Sequence, residues 1–159
     1  MPIIRPLTDA EYTAWKQETI PAYAREKVAS GAWTESDAVE KARETFESLL
    51  QDGRNTKDNY LFAVLDADDI QVGVLWFAVK DRANARIAYI YSIEISPEHQ
   101  HKGHASRALR ALEDEVRRLR LAGIALHVFG HNAAAQALYT KLGYIPTDIN
   151  MFKVVTTDA

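Results

Sequence analysis

The chain has no cysteine. That excludes disulfides, thiolate zinc sites and a cysteine nucleophile, and it fits a reducing, cytoplasmic setting. No apolar run approaches the roughly 20 residues a membrane-spanning helix needs, so no membrane partner is expected. No basic-then-apolar leader opens the sequence, and no secretory signal is read. A positive excess is missing too: the formal net charge is −3 over 159 residues. A mildly acidic chain is a poor non-specific binder of nucleic acid, and none is expected as partner. There is no internal repeat and no low-complexity segment. Neither Gly-x-Gly-x-x-Gly nor Gly-Lys-Ser/Thr occurs, which argues against a dinucleotide fold and a P-loop.

What is present reads as one domain over residues 1–159, with an ordinary apolar fraction of 47 %. Residues 3–7 suggest a first strand. Thr8 or Asp9 then caps a helix with Tyr12, Trp15, Ile20 and Tyr23 among its apolar residues; Pro21 is expected to break or kink it, and Gly31 to stop it. Residues 34–37 predict the start of a second helix whose apolar face holds Val39, Phe46, Leu49 and Leu50, ending at Gly53.

Two β-rich runs, 60–65 and 72–79, flank the polar turn 66–69 and predict a hairpin. A longer strand follows over 86–95. Strict alternation puts Tyr89, Tyr91, Ile93 and Ile95 on one face and Ile90, Ser92 and Glu94 on the other. After Gly103 the period becomes helical, with Ala105, Ala108, Leu109, Leu112, Val116 and Leu119 as the packed stripe. A fifth strand is expected over 124–129 and a short helix over 132–142, with Gly143 closing it. Residues 144–155 predict one or two last strands, Pro146 near an edge. This order suggests an α/β sandwich around one mixed sheet.

Charge is uneven. Residues 35–52 are rich in Glu and Asp, and six Lys and Arg side chains follow between 102 and 120. Solvated helix faces account for this; an anionic ligand near the basic half is the sharper alternative. Gln100-His101-Lys102-Gly103-His104-Ala105 joins a strand to a helix there. A helix N-terminus offers free N–H groups and positive dipole, and glycine lets backbone approach an anion. The loop alone fits a pyrophosphate or a plain turn. All five histidines fall between His99 and His131; His99, His101 and His104 lack the i, i+4 spacing that puts two imidazoles on one helix face, and no metal is expected.

Gln100-x-x-Gly103-x-Ala105 resembles the pyrophosphate loop of the GNAT superfamily of N-acetyltransferases. "NAAAQALYTKLGY", residues 132–144, resembles that family's second signature, Asn-x-x-Ala-x-x-Leu-Tyr-x-Lys-x-Gly-Tyr/Phe, at nearly every position, and the spacing between the segments matches. The resemblance covers roughly 60–155. It implies a three-layer α/β/α sandwich (α+β) around a mixed, mostly antiparallel sheet with two splayed parallel central strands, 90–95 and 124–129. Residues 1–57 would be the variable acceptor-side helices and 58–155 the acetyl-coenzyme A-binding core.

In that frame acetyl-coenzyme A lies between the splayed strands. Ile93, Glu94 and Ile95 would bond its pantetheine arm. Gln100 opens the loop, and the amides of His101, Lys102, Gly103, His104, Ala105 and Ser106 would hold the pyrophosphate, the His104 side chain pointing outward. Asn132 would bond the pantetheine arm, and Tyr139 would protonate the departing thiolate. Glu94 is the candidate general base, with His127 or His131 as alternatives. The residues also carry plainer readings: Asn132 as a helix cap, Tyr139 as packing, Glu94 as a solvated strand residue. The implied activity is acetyl transfer to a primary amine of a small molecule, peptide or protein. A non-catalytic acyl-coenzyme A sensor and a histidine-based metallohydrolase are the competing classes. No sequence feature fixes the oligomeric state, which leaves a homodimer open.

Overall fold

Five strands and four helices follow one another along the chain in a computed structural model that describes residues 2–157. The strands are β1 (Ile4–Pro6), β2 (Asn59–Leu65), β3 (Gln71–Arg82), β4 (Ala85–Ile95) and β5 (Ile124–Leu126). The helices are α1 (Asp9–Ala29), α2 (Ala38–Leu49), α3 (His104–Arg118) and α4 (Ala133–Lys141). They lie side by side in chain order, antiparallel from β1 to β4, with β4 and β5 parallel. A parallel pair needs a crossover, and α3 supplies it.

Alternation on β2 and β3 builds a layer on each face. Phe62, Val64, Leu75 and Phe77 pack with Ala108, Leu109, Leu112 and Val116 of α3. Leu61, Ala63, Val74 and Trp76 pack with Trp15 of α1 and Phe46 of α2. The apolar stripe expected on α3 is therefore its buried face.

Thr8 caps α1 in a complete capping box with Glu11, and Arg5 clamps the Glu11 carboxylate at 2.8 and 3.0 Å. The Arg5 bond and the Thr8 amide hold the Glu11 pKa down to about 2. α1 runs through Pro21 without the expected interruption. Proline removes one backbone donor, but Trp15 and Ala24, buried on either side of it, anchor both halves. On α2 the buried residues are Ala38, Ala42 and Phe46. Val39 is 47 % exposed, not part of the apolar face, because that face follows i, i+4 from Ala38.

β5 is three residues long, and no strand follows it among the described residues. The strands expected after Tyr144 do not form within the chain. The parallel pair consequently ends the described sheet, with β5 outermost.

Candidate active site

β4 and β5 pair through Ala88↔Ile124, Tyr89↔Ala125 and Ile90↔Leu126, and no further. Beyond these residues β4 continues to Ile95, and the chain after Leu126 leaves it. The gap opens into a cavity of ≈780 Å³. Its walls run from Thr19, Tyr23 and Glu26 of α1 and Phe46 of α2, across Trp76 and residues 89–95, to Leu126–Phe129, Asn132 and Tyr139.

A bulge in β4 decides which side chains face this cavity. β3 pairs Trp76 with Ser92 but Phe77 with Ile90, so Tyr91 is an extra residue. The strand's phase resets there. Tyr91 stacks on Trp76 with ring centroids 4.5 Å apart, on the α1–α2 side. Ser92 and Glu94 pair with Trp76 and Val74, which face the same way, while Ile90, Ile93 and Ile95 pack toward α3. Strict alternation grouped Tyr89 and Tyr91 with Ile93 and Ile95; the extra residue separates them. It also separates Ile90 from Ser92 and Glu94.

Glu94 is open to solvent along the cavity, yet protein surrounds it on most sides. That desolvation, with repulsion from Glu18 and Glu26 of α1, raises its pKa above the ordinary carboxylate value. Its backbone is fixed by a close approach: a Cβ on Gly73 of β3 would collide with the Glu94 carbonyl oxygen and come within 2.8 Å of Ile95 Cδ1. Tyr139, half-buried on α4, has its pKa raised by burial, so its hydroxyl keeps its proton at neutral pH. Asn132 caps α4 by accepting from the Ala135 amide at 3.2 Å. The cap occupies its oxygen and leaves its NH₂ to donate into the cavity, so cap and ligand roles coexist. Thr19, 3 % exposed, lines the wall and has no hydrogen-bond partner among the described residues.

The loop sits beside the cavity. Gln100 lines it and donates to the Ile95 carbonyl at 2.9 Å, bracing the turn. His101 and Gly103 have φ of 63° and 82°, a left-handed conformation that glycine adopts without strain. Side chains cap α1 and α4, but none caps α3. Its first-turn N–H groups are left to whatever anion approaches. His104 does not point outward as expected. It is 8 % exposed, edge-on to His99, with Nδ1 2.9 Å from Arg107 Nη2. Arginine only donates, so the ring accepts through Nδ1. Burial and the Arg107 charge lower its pKa and keep it neutral. Arg107 also donates to the Lys102 carbonyl at 2.9 Å, bracing the loop. Two basic residues at the end of α3 are otherwise engaged: Arg117 pairs with Asp114 and Arg118 with Glu115, as solvated faces do.

The structure thus gathers Ile93, Glu94, Ile95, Gln100, Asn132 and Tyr139 around one cavity, with residues 101–106 at its flank. His127 lines it as well. His131 turns aside, its Nε2 3.0 Å from Glu26 of α1. Among the described residues no cluster of His, Asp and Glu has metal-binding geometry.

The family model described as "Acetyltransferase (GNAT) family" matches residues 16–144. The chain belongs to the GNAT acetyltransferase family. "Uncharacterized N-acetyltransferase YdgE" of Bacillus subtilis (strain 168) is 33 % identical over 147 residues, 92 % of this chain and 94 % of that protein. "Uncharacterized N-acetyltransferase YycN" of the same organism is 33 % identical over 152 residues, 95 % and 97 % of the two chains. A crystal structure of Bacillus subtilis YycN superposes with a TM-score of 0.91 at 30 % identity, covering 97 % of this chain and 98 % of that one. AAC(6')-Iy, solved with the bisubstrate analog CoA-S-monomethyl-acetylneamine, shares the fold at a TM-score of 0.60 and 16 % identity, with 97 % of each chain covered.

For a GNAT chain the sequence reading missed three residues of consequence. Gly73 lies unremarked inside the β-rich run 72–79; the signal was there, since glycine inside a strand marks close backbone approach. Arg107 read as one more solvated cation. Tyr91 carried no mark of the bulge, because a single inserted residue leaves no compositional trace. Among the described residues, no helix is long and apolar enough to cross a membrane.

Proposed function

We propose that this acetyltransferase moves the acetyl group of acetyl-coenzyme A to a primary amine by direct attack. The observation that carries this is the splay of β4 from β5 into a cavity shared by Glu94, Asn132 and Tyr139. The residues fit the donor. The N-terminus of α3 has no side-chain cap, Gly103 takes φ of 82° beside it, and Asn132 has a free NH₂. AAC(6')-Iy, a protein of this fold, binds a coenzyme A analog joined to an amine, which supports the same pairing here. Residues 58–155 would hold the donor and residues 1–57 would shape the acceptor end. The cytosol is the proposed setting, in keeping with the absence of cysteine.

Only a free amine is nucleophilic, so an ammonium must first lose a proton. Glu94, directly or through one water, takes it; its raised pKa makes it a better acceptor than an ordinary carboxylate. Glu26 lines the same cavity and Glu18 is close enough to repel Glu94, and their charge draws a cationic amine inward. A backbone N–H near Ile95 steadies the oxygen of the tetrahedral centre. Tyr139 offers its hydroxyl proton to the departing sulfur. A raised pKa makes that hydroxyl a weaker acid, so it acts more by hydrogen bonding than by full transfer. Holding both substrates in one cavity supplies proximity.

The test is a panel of amines — monoamines, diamines, aminoglycosides, N-terminal peptides — assayed for thiol release from acetyl-coenzyme A. Amine-dependent release is expected. Tight coenzyme A binding with no release for any amine would leave the sensing module as the better reading.

A further inference from the structure

Along the α1–α2 face of β4 the cavity changes character. Glu94 stands at one end, with Glu18 and Glu26 close enough to repel it. Toward the other end Tyr89 and Tyr91 meet edge to face at 5.1 Å, and Tyr23 of α1 lines the cavity with them. Alternation along β3 from Val74 and Trp76 puts Lys80 on this same face. Its Nζ lies 4.6 Å from the Tyr89 ring centroid and 4.7 Å from that of Tyr91. Lys27 of α1 lines the cavity, its Nζ 5.6 Å over Tyr23 and 5.5 Å over Trp33. The two clusters are neighbours, since the Tyr89 hydroxyl feels both the Lys80 charge and Tyr23.

Among the described residues neither ammonium meets a carboxylate, and neither does Arg25 on the same wall. Glu26, between Arg25 and Lys27 in sequence, is turned to His131 Nε2 at 3.0 Å. A lysine on a surface is ordinarily left to solvent. These two are instead held on pairs of aromatic faces beside the cavity. A ring attracts an ammonium without neutralising it, so the positive charge stays available to an oxyanion. The cavity is therefore bipolar: carboxylates at one end, positioned ammonium groups without counter-charge at the other.

We infer that the acceptor is an amine that also carries an anionic group, a carboxylate or a phosphate, which docks on Lys80 and Lys27 while the amine lies at Glu94. The inference rests on the acetyl transfer proposed above. Tyr91 and Tyr89 stand about 10 and 16 Å from Glu94 along an extended strand. Hydrogen-bonded contact at both ends takes up about 6 Å, leaving about 7–10 Å between reacting nitrogen and anion. An α-amino acid is too short for that span. An ω-amino acid with about five to seven methylenes fits, as does a peptide N-terminus with an acidic group about two residues on. A diamine would set its second cation against Lys80 and Lys27.

The test compares ω-amino acids of increasing length with their amides, with ω-aminoalkyl phosphates and with diamines. The acid should exceed its amide in kcat/KM by about 10- to 100-fold, the worth of a hydrogen bond to a charged group. That margin should peak at the stated length and shrink as salt rises. A still higher rate on the phosphate supports the inference equally and identifies the anion. Equal rates on acid and amide, a preference for diamines, or indifference to length overturns it. Lys80→Met with Lys27→Met keeps both apolar stems and should bring the acid-to-amide ratio near one; a ratio that survives overturns it too. Calorimetric titration of ω-aminohexanoate into the protein holding coenzyme A needs no turnover. If no amine releases thiol, the proposed reaction fails and the titration still decides: binding that the amide lacks and the double variant loses supports the subsite, and equal binding of acid and amide overturns it.

Discussion

Gly73→Ala tests how tightly the reacting end of β4 is held. Real Cβ atoms essentially never approach a heavy atom closer than 3.0 Å, and one on Gly73 would lie well inside that limit of the Glu94 carbonyl oxygen. It would also press on Ile95 Cδ1 at 2.8 Å. The obstruction is partly backbone, so no rotamer change relieves it. The end of β4 must move off β3 by on the order of 1 Å, and such overpacking typically costs about 1–3 kcal/mol. A misplacement of about 1 Å at a reacting centre can cost roughly 100-fold in turnover. The expected variant is folded, a few degrees less stable, and about 100-fold slower with a competent amine. Its coenzyme A affinity should change less, because α3 and its loop are not displaced. Leu109→Ala is the control. It empties a fully buried position on α3, on the face of the sheet opposite the Glu94 side chain, at a cost of about 2–5 kcal/mol. Thermal melts, turnover and calorimetric titration on both variants separate position from stability. Parental turnover in Gly73→Ala, or an equal loss in Leu109→Ala, would refute the claim that this contact places the catalytic end of the strand.

Gly103→Asp should remove measurable coenzyme A binding while leaving the fold intact: the residue takes φ of 82°, its Cβ would meet Arg107 at 2.9 Å, and its charge repels phosphate. Titration at unchanged affinity would sink the pyrophosphate assignment. Tyr139→Phe keeps the ring and its packing, so affinity should hold while turnover falls about 100-fold, the low end for a positioned acid because burial weakens this one. Unchanged turnover would make the hydroxyl structural. Glu94→Gln should lower turnover most at low pH, where fewer amines are free, and should raise the melting temperature. The fold disfavours ionised Glu94, so the parent loses stability as pH rises from the ordinary carboxylate pKa through the raised one. The variant's advantage should be complete above that window and vanish below it; the opposite trend in paired melts would show that Glu94 is not desolvated.

Legibility followed the range of the forces involved. The α3 stripe was readable because its i, i+3, i+4 spacing is a local record of one buried face. The places of Gly103 and Asn132 at the heads of α3 and α4 were readable because glycine and a capping residue mark a helix start locally. His104 was not: its burial depends on Arg107, one turn on, and on His99 before the loop, which spacing alone does not bring together. Pro21 was overread, since packing on both sides of a proline can hold a helix that local propensity would interrupt. The last strands were overread: residues 149–157 have strand composition, but no strand follows β5 among the described residues.

The bulge at Tyr91 makes β4 sensitive to counting. Substitutions leave its phase alone, and many are absorbed by one face or the other. Deleting Tyr91 itself would restore plain alternation and leave Glu94 where it is, since Ile90 and Ser92 keep their partners on β3. Deleting Ile93, past the bulge, would set Glu94 opposite Leu75 and Ile95 opposite Val74. Glu94 would then turn toward the α3 core, and Ile95 into the space where the amine is expected. One apolar side chain would be gone, and the pocket would have lost its carboxylate. What this strand must keep unchanged between its bulge and its end is therefore its length more than its composition, and a gap there is a stronger sign of lost chemistry than any single replacement.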